Sequence, residues 1–148
     1  MRFGSPEDVF AYAVRSEEES YRFYTAMAEK APSYNTRQVL KSLAADEEEH
    51  RSILVKILGK RDEEMPPGLI NLRAAEEAGN PGPLTDVKDA MAAAVGREAA
   101  AQELYTAMAA LYPPGQVRRS LEQMAAMEKG HRHKVEEILL NMQTGEVW

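Results

Sequence analysis

Six residues with metal-ligand chemistry recur at matched positions along the chain: Glu17, Glu47 and His50, then Glu98, Glu128 and His131. Glu47 and His50 form one Glu-x-x-His, and Glu128 and His131 form another. Residues three apart on a helix share a face, so each pair aims a carboxylate and an imidazole in one direction. A shift of 81 residues superposes the two sets without a gap. Ala13–Leu58 laid over Ala94–Leu139 gives 18 identities in 46 positions, including Tyr24-Thr25-Ala26-Met27-Ala28 on Tyr105-Thr106-Ala107-Met108-Ala109. Pro32 falls on Pro113, so the turn is repeated as well. The chain reads as two related helical hairpins, and polar residues that coincide under the shift are expected near a pseudo-two-fold axis.

The elements that carry these residues follow from the prolines. Positions 6, 32, 66, 67, 81, 83, 113 and 114 leave four proline-free windows long enough for helices, and an interior proline would break any of them. Ser5-Pro6-Glu7-Asp8 supplies a capping serine, a first-turn proline and acids suited to the helix dipole. Thr85-Asp86 repeats a capping signal, and Gly59 is placed to end the second helix. Helices are expected at 6–30, 36–58, 86–111 and 116–142, giving hairpins over 6–58 and 86–142 and a short tail at 143–148. The connection 59–85 holds Pro66-Pro67-Gly68, Asn80-Pro81-Gly82-Pro83 and a weak helical patch near Leu69–Ala78. A link of that length suits a crossover along the bundle, needed if the second and third helices run parallel. The expected fold is a single all-α domain over 1–148, a four-helix bundle of two hairpins.

The core-facing stripes place charges where apolar residues belong. Helix two runs Leu40, Leu43, Glu47, His50, Leu54, Ile57; helix four runs Val117, Leu121, Met124, Glu128, His131, Val135, Ile138, Met142. Helix one reads Phe10, Val14, Glu17, Tyr21, Tyr24 and helix three Met91, Val95, Glu98, Ala101, Tyr105. No Lys or Arg lies on these stripes. Burying an uncompensated carboxylate costs several kcal/mol even after relaxation, and four together also repel. Two divalent cations neutralise four carboxylates. A Glu from each of two helices with Glu-x-x-His from each of the others is the ligand set of dinuclear carboxylate sites. The alternative is a metal-free Glu/His network that fixes helix register. Glu18, Glu19, Glu48, Glu49 and His133 fall off the stripes and are expected to face solvent.

Composition narrows the function. The 148 residues suit one core, and the net charge of −6 with no basic stripe argues against nucleic acid. The absence of cysteine excludes disulfides, thiolate-held metals and thiol nucleophiles. No run approaches the length of a membrane span and Met1–Phe10 has no signal-like apolar core, so a cytoplasmic location is expected.

These residues make the chain resemble the ferritin-like di-iron carboxylate proteins, and among them the rubrerythrin family, over about residues 6–142. The resemblance implies that Glu47 and Glu128 bridge two metal ions, that Glu17 and His50 complete one, and that Glu98 and His131 complete the other. It implies two irons; the carboxylate-rich ligand set itself suits manganese as well, and imidazole lets zinc compete. It also implies that Tyr24 matches the family's tyrosine, and the repeat supplies Tyr105; each could hydrogen-bond a ligand carboxylate or simply pack in the core. Two features differ from the family: no cysteine-ligated rubredoxin module is present, so a separate electron-donor protein is implied, and Ala101 and its repeat mate Ser20 stand where an extra glutamate is common. The implied activity is reduction of hydrogen peroxide or O2 by a di-iron oxidoreductase. Iron handling as a ferroxidase, or a non-catalytic metal-binding bundle, are the alternatives.

Helix three has an unusual set of small residues off the Glu98 stripe: Ala92, Ala93, Gly96, Ala99, Ala100, Ala107 and Ala110. Alanine's helix propensity or cover by the crossover could account for them. The matching stretch of helix one carries Glu18, Glu19, Arg22 and Glu29, which favours close approach of a second copy and an expected homodimer. Light scattering should then give a dimer mass for the wild type and a lower mass for Ala93→Glu/Ala100→Glu; a monomeric wild type removes the expectation.

Overall fold

A computed structural model describes residues 2–59, 70–71 and 86–144. Two-residue strand β1 (Arg2–Phe3) precedes α1 (Pro6–Glu29) and α2 (Tyr34–Gly59); strand β2 (Ile70–Asn71) precedes α3 (Val87–Ala110) and α4 (Gln116–Gln143). The starts of α1 and α3 are capped as the sequence suggests. Ser5 accepts from the Asp8 N–H at 3.2 Å with Pro6 in the first turn, and Asp86 accepts from the Asp89 N–H at 3.0 Å. Helix α2 begins two residues earlier than expected because Ser33 acts as its cap: its hydroxyl accepts from the Thr36 N–H at 3.3 Å and its carbonyl from the Arg37 N–H at 3.1 Å.

The helices enclose two apolar cores separated by a polar layer. The lower core joins Val9, Phe10 and Ala13 of α1, Leu54 of α2, Leu104 and Met108 of α3, and Leu121 and Met124 of α4. The upper core joins Tyr24 and Met27 of α1, Leu40 and Leu43 of α2, Ala90 and Met91 of α3, and Val135 and Ile138 of α4. The late part of α2 therefore lies level with the late part of α3, so these two helices run parallel. Gly59 and Val87 lie at opposite ends of a bundle about 39 Å long at 1.5 Å per residue over α2. The crossover is expected in the chain between them. Its course lies outside the described residues except at Ile70–Asn71, which pair antiparallel with Arg2–Phe3 in the register Arg2 to Asn71 and Phe3 to Ile70. At those two residues the backbone is extended, against the helical patch expected near Leu69–Ala78. The tail is described only as far as Gln143, the last residue of α4, and Thr144, whose hydroxyl donates to the Leu140 carbonyl at 3.1 Å.

One stripe differs from expectation. The buried face of α1 runs Phe10, Ala13, Glu17, Tyr24, Met27 and that of α3 runs Met91, Ala94, Glu98, Tyr105, Met108. Alternating steps of three and four place Ser20 and Ala101, not Tyr21, in line with them. Tyr21 is 40% exposed. Among the small residues of α3, Ala92, Gly96 and Ala110 are exposed, while Ala93, Ala99, Ala100 and Ala107 are half-buried.

Because the polar layer separates the cores, losses in each should be independent. Leu40→Ala and Leu121→Ala remove fully buried side chains and should each destabilise by about 2–5 kcal/mol. In denaturant melts the double variant should show the sum of the two within about 0.5 kcal/mol.

Candidate dinuclear metal centre

The polar layer is built from one glutamate on α1 (Glu17), one on α3 (Glu98), and a Glu-x-x-His on each of α2 (Glu47, His50) and α4 (Glu128, His131). All six are buried, none more than 2% exposed. They fall into two overlapping groups: Glu17, Glu47, His50 and Glu128, and Glu47, Glu98, Glu128 and His131. Within each group one ligand atom from every residue lies within 4.8 Å of the others. Glu47 and Glu128 belong to both, the positions from which a carboxylate can bridge two ions.

Each histidine points Nδ1 into the layer. His50 Nδ1 lies 2.8 Å from Glu128, 3.7 Å from Glu17 and 3.8 Å from Glu47. His131 Nδ1 lies 3.0 Å from Glu47, 3.6 Å from Glu98 and 3.7 Å from Glu128. The two rings stack at 5.9 Å with 19° between their planes. The tyrosines close the layer reciprocally: Tyr24 of α1 donates to Glu98 Oε1 of α3 at 2.5 Å, and Tyr105 of α3 donates to Glu17 Oε1 of α1. Both rings are buried in the cores as well, so hydrogen bonding and packing are met together.

Seven buried atoms of the six residues have no aligned hydrogen-bond partner: Glu17 Oε2, Glu47 Oε1, Glu98 Oε2, both Glu128 oxygens, and Nδ1 of both histidines. Orphaned buried polar atoms are rare in folded proteins. All seven are lone-pair donors to a cation, drawn from the two groups above, and they fit a pair of divalent ions. The electrostatics agree. Burial, and then repulsion from Glu17, pushes Glu47 well above the usual carboxylate value; burial and Glu47 do the same to Glu128. Burial alone would raise Glu98 too, but contacts with His131 and Glu128 outweigh it and hold it below. Burial would lower His131, but Glu47 and Glu98 push it up to about 10.

A small cavity, with about 30 Å³ open to a water-sized molecule, reaches the carboxylates between α1 and α3. Its lining contains repeat pairs: Ser16 with Arg97, Glu17 with Glu98, Ser20 with Ala101, and Glu47 with Glu128. It therefore lies on the pseudo-two-fold axis. Arg97 donates to Ser20 Oγ at 3.1 Å, approaches exposed Glu19 at 3.9 Å and stacks over Phe23 at 5.6 Å.

The outward-facing residues stand as expected. His133 and Glu49 are exposed, Glu48 pairs with Arg51 at 2.7 Å, and Glu18 approaches Arg22 at 4.0 Å. Three contributors went unread in the sequence. Asp46 accepts from His131 Nε2 at 3.0 Å, Met127 Sδ lies 3.3 Å from His50 Nε2, and Arg97 lines the cavity. The repeat held a signal for the first two: Asp46 and Met127 are mates under the 81-residue shift, each directly before a Glu-x-x-His.

The rubrerythrin family model matches residues 8–78. Two solved structures share the fold. A hypothetical protein from Pyrococcus furiosus is 20% identical over 97% of this chain and 94% of its own, with a TM-score of 0.77. A ferritin-like diiron-carboxylate protein from Thermotoga maritima is 20% identical over 93% of this chain and 96% of its own, with a TM-score of 0.75. No curated protein matches the sequence.

A group whose pKa rises on folding lends stability that is complete below its unfolded value and fades as pH climbs through the folded one. Without metal, the melting temperature should fall as pH rises above 4.5 through Glu47 and Glu128, and from 6.5 to about 10 through His131. Bound cations favour the deprotonated ligands, so metal should reverse that slope. Calorimetry at mildly acidic and mildly alkaline pH, with chelator and then with Fe(II) or Zn(II), checks both signs; melting indifferent to metal would support the metal-free network.

Proposed function

From a chain with a rubrerythrin-family segment over residues 8–78 and a ferritin-like fold, we propose a di-iron redox enzyme that reduces hydrogen peroxide, with electrons supplied in trans. Glu17, His50, Glu47 and Glu128 would hold one iron, and Glu98, His131, Glu47 and Glu128 the other. When bound, two ferrous ions supply the two electrons that, with two protons, convert one peroxide into two waters. Carboxylate-rich N/O ligation suits iron or manganese, and imidazole lets zinc compete.

The observation that carries this reading is the cavity between α1 and α3. It admits a molecule about the size of water and ends at the carboxylates of both groups. Its lining of Ser16, Ser20 and Arg97 offers hydrogen-bond partners, which suit peroxide, a donor and acceptor, better than apolar O2. Ala101 and Ser20, small residues at this point of the stripes, leave the space that larger side chains would fill. Tyr24 and Tyr105 fix one oxygen of Glu98 and of Glu17, and the other oxygen of each is buried without a hydrogen-bond partner. Iron handling is the competing reading, and a cation using this route would pass the Arg97 guanidinium. A separate donor protein and a homodimer belong to the same proposal.

Loading the protein anaerobically with Fe(II) and mixing it with H2O2 or O2 in a stopped-flow instrument separates these readings. Peroxide should oxidise the site faster than O2, and Ala101→Leu should slow the peroxide reaction at least about tenfold, a barrier increase near 1.4 kcal/mol, with iron stoichiometry unchanged. Faster oxidation by O2 with release of Fe(III) would favour iron handling.

A further inference from the structure

The two halves of the centre match in every ligand but differ in what stands behind the histidines. Both imidazoles direct Nδ1 into the layer and Nε2 outward, toward the residue that precedes the ligand glutamate on the opposite hairpin. For His131 that residue is Asp46, whose Oδ2 accepts at 3.0 Å. For His50 it is Met127, whose Sδ lies at 3.3 Å. Asp46 and Met127 coincide under the 81-residue shift, so the symmetry of the site is broken directly behind the histidines.

The chemical difference is large. A carboxylate accepting the Nε2 hydrogen fixes the tautomer with the Nδ1 lone pair turned to the metal position, holds the ring plane and makes Nδ1 a stronger donor. A thioether is a weak, uncharged acceptor that does little of this. Asp46 also adds a negative charge behind one position only, in a partly buried setting where its side chain is 27% exposed. The ligands themselves cannot produce the inequality, because each position has one histidine, one terminal glutamate and the same two shared glutamates.

Resting on the dinuclear reading above, we propose that the two metal positions are unequal. The position at Glu98 and His131 fills first and holds its ion tightly, and the position at Glu17 and His50 fills second and exchanges its ion. Asp46 is thus a positioning residue acting through His131, and Met127 keeps His50 a weak ligand. Loss of a partner behind a ligand histidine costs about 10–100-fold in metal affinity, which sets the expected separation of the two steps.

The test is titration of the metal-free protein with Co(II), followed by the visible d–d bands and by calorimetry. The wild type should bind two equivalents in two resolved steps. Mutual repulsion alone could separate two equal sites, so the variants decide. Met127→Asp restores the symmetry and should tighten the second step about tenfold or more while leaving the first in place. Asp46→Asn should weaken the first step by a similar factor and leave the second. His131→Gln should abolish the tight step and His50→Gln the weak one. Both Asp46 and Met127 are partly exposed, and circular dichroism of the metal-free variants checks that the bundle is retained. Two equivalents with Met127→Asp unchanged from wild type would overturn the inequality and leave the dinuclear centre standing. Failure of the wild type to bind two equivalents would overturn the dinuclear reading itself.

Discussion

Four carboxylates packed together inside an apolar bundle repel one another, and everything else in this fold accommodates that repulsion. Removal of a charge from water costs several kcal/mol, and Glu47 and Glu128 register both costs in their raised proton affinity. The layer survives because it lies between two well-packed cores that clamp all four helices above and below it. Tyr24 and Tyr105 extend the clamp into the layer: each spans from α1 to α3 or back, ties one carboxylate oxygen and leaves its fellow free. The bundle holds concentrated negative charge in place, and bound cations would turn that cost into affinity.

The pseudo-two-fold arrangement explains how one short chain builds such a layer. A hairpin with one Glu on its first helix and Glu-x-x-His on its second supplies half the ligands; the repeat supplies the rest at the same height. The parallel course of α2 and α3 follows from stacking the two hairpins this way, and it imposes the long connection between residues 59 and 86. Symmetry then creates an axis between α1 and α3, where mates face each other. Ser20 meets Ala101 there, and their small side chains leave the cavity; Ser16 and Arg97 share its lining.

Much of this was legible in the sequence, for a physical reason. Buried positions recur every three or four residues, so a charged residue on such a stripe is an anomaly that periodicity exposes, and the repeat made the anomaly six-fold. The tyrosines were legible for the same reason, lying seven residues from the first-helix and third-helix glutamates. Periodicity fails at the edge of a stripe, where a few degrees of helix rotation decide burial. The expected stripe from Phe10 through Val14 and Glu17 to Tyr21 takes its steps as four, three, four, whereas the buried face takes them as three, four, three and brings in Ala13 and Ser20 instead; the mate Ala101 already pointed to that answer. Asp46, Met127 and Arg97 escaped because they act across helices, from flanks that look solvated when each helix is read alone. The Ser33 cap was hidden by the proline beside it, and the pairing of Arg2–Phe3 with Ile70–Asn71 joins residues that no local pattern connects.

Departures from the repeat carry the information that the repeat cannot. Where the halves agree, as at the six candidate ligands and two tyrosines, the requirement is common to both groups, and each half lends the other one shared glutamate and one tyrosine hydroxyl. Where they disagree within reach of the layer, the differences include Asp46 against Met127, Ser16 against Arg97 and Ser20 against Ala101. Of these residues only Ala101 packs against a core; Asp46, Ser16, Ser20, Arg97 and Ala101 are half-buried and Met127 is exposed. Packing therefore places little constraint on them, and a symmetric chain could use either member of each pair at both positions. Two metals held identically would serve a structural clamp equally well. A centre that must accept a small molecule from one side and exchange electrons has a use for inequality, since one ion can remain anchored while the other changes its surroundings. The unequal partners behind the histidines and the one-sided cation lining the cavity both lie where such a division of labour would require them.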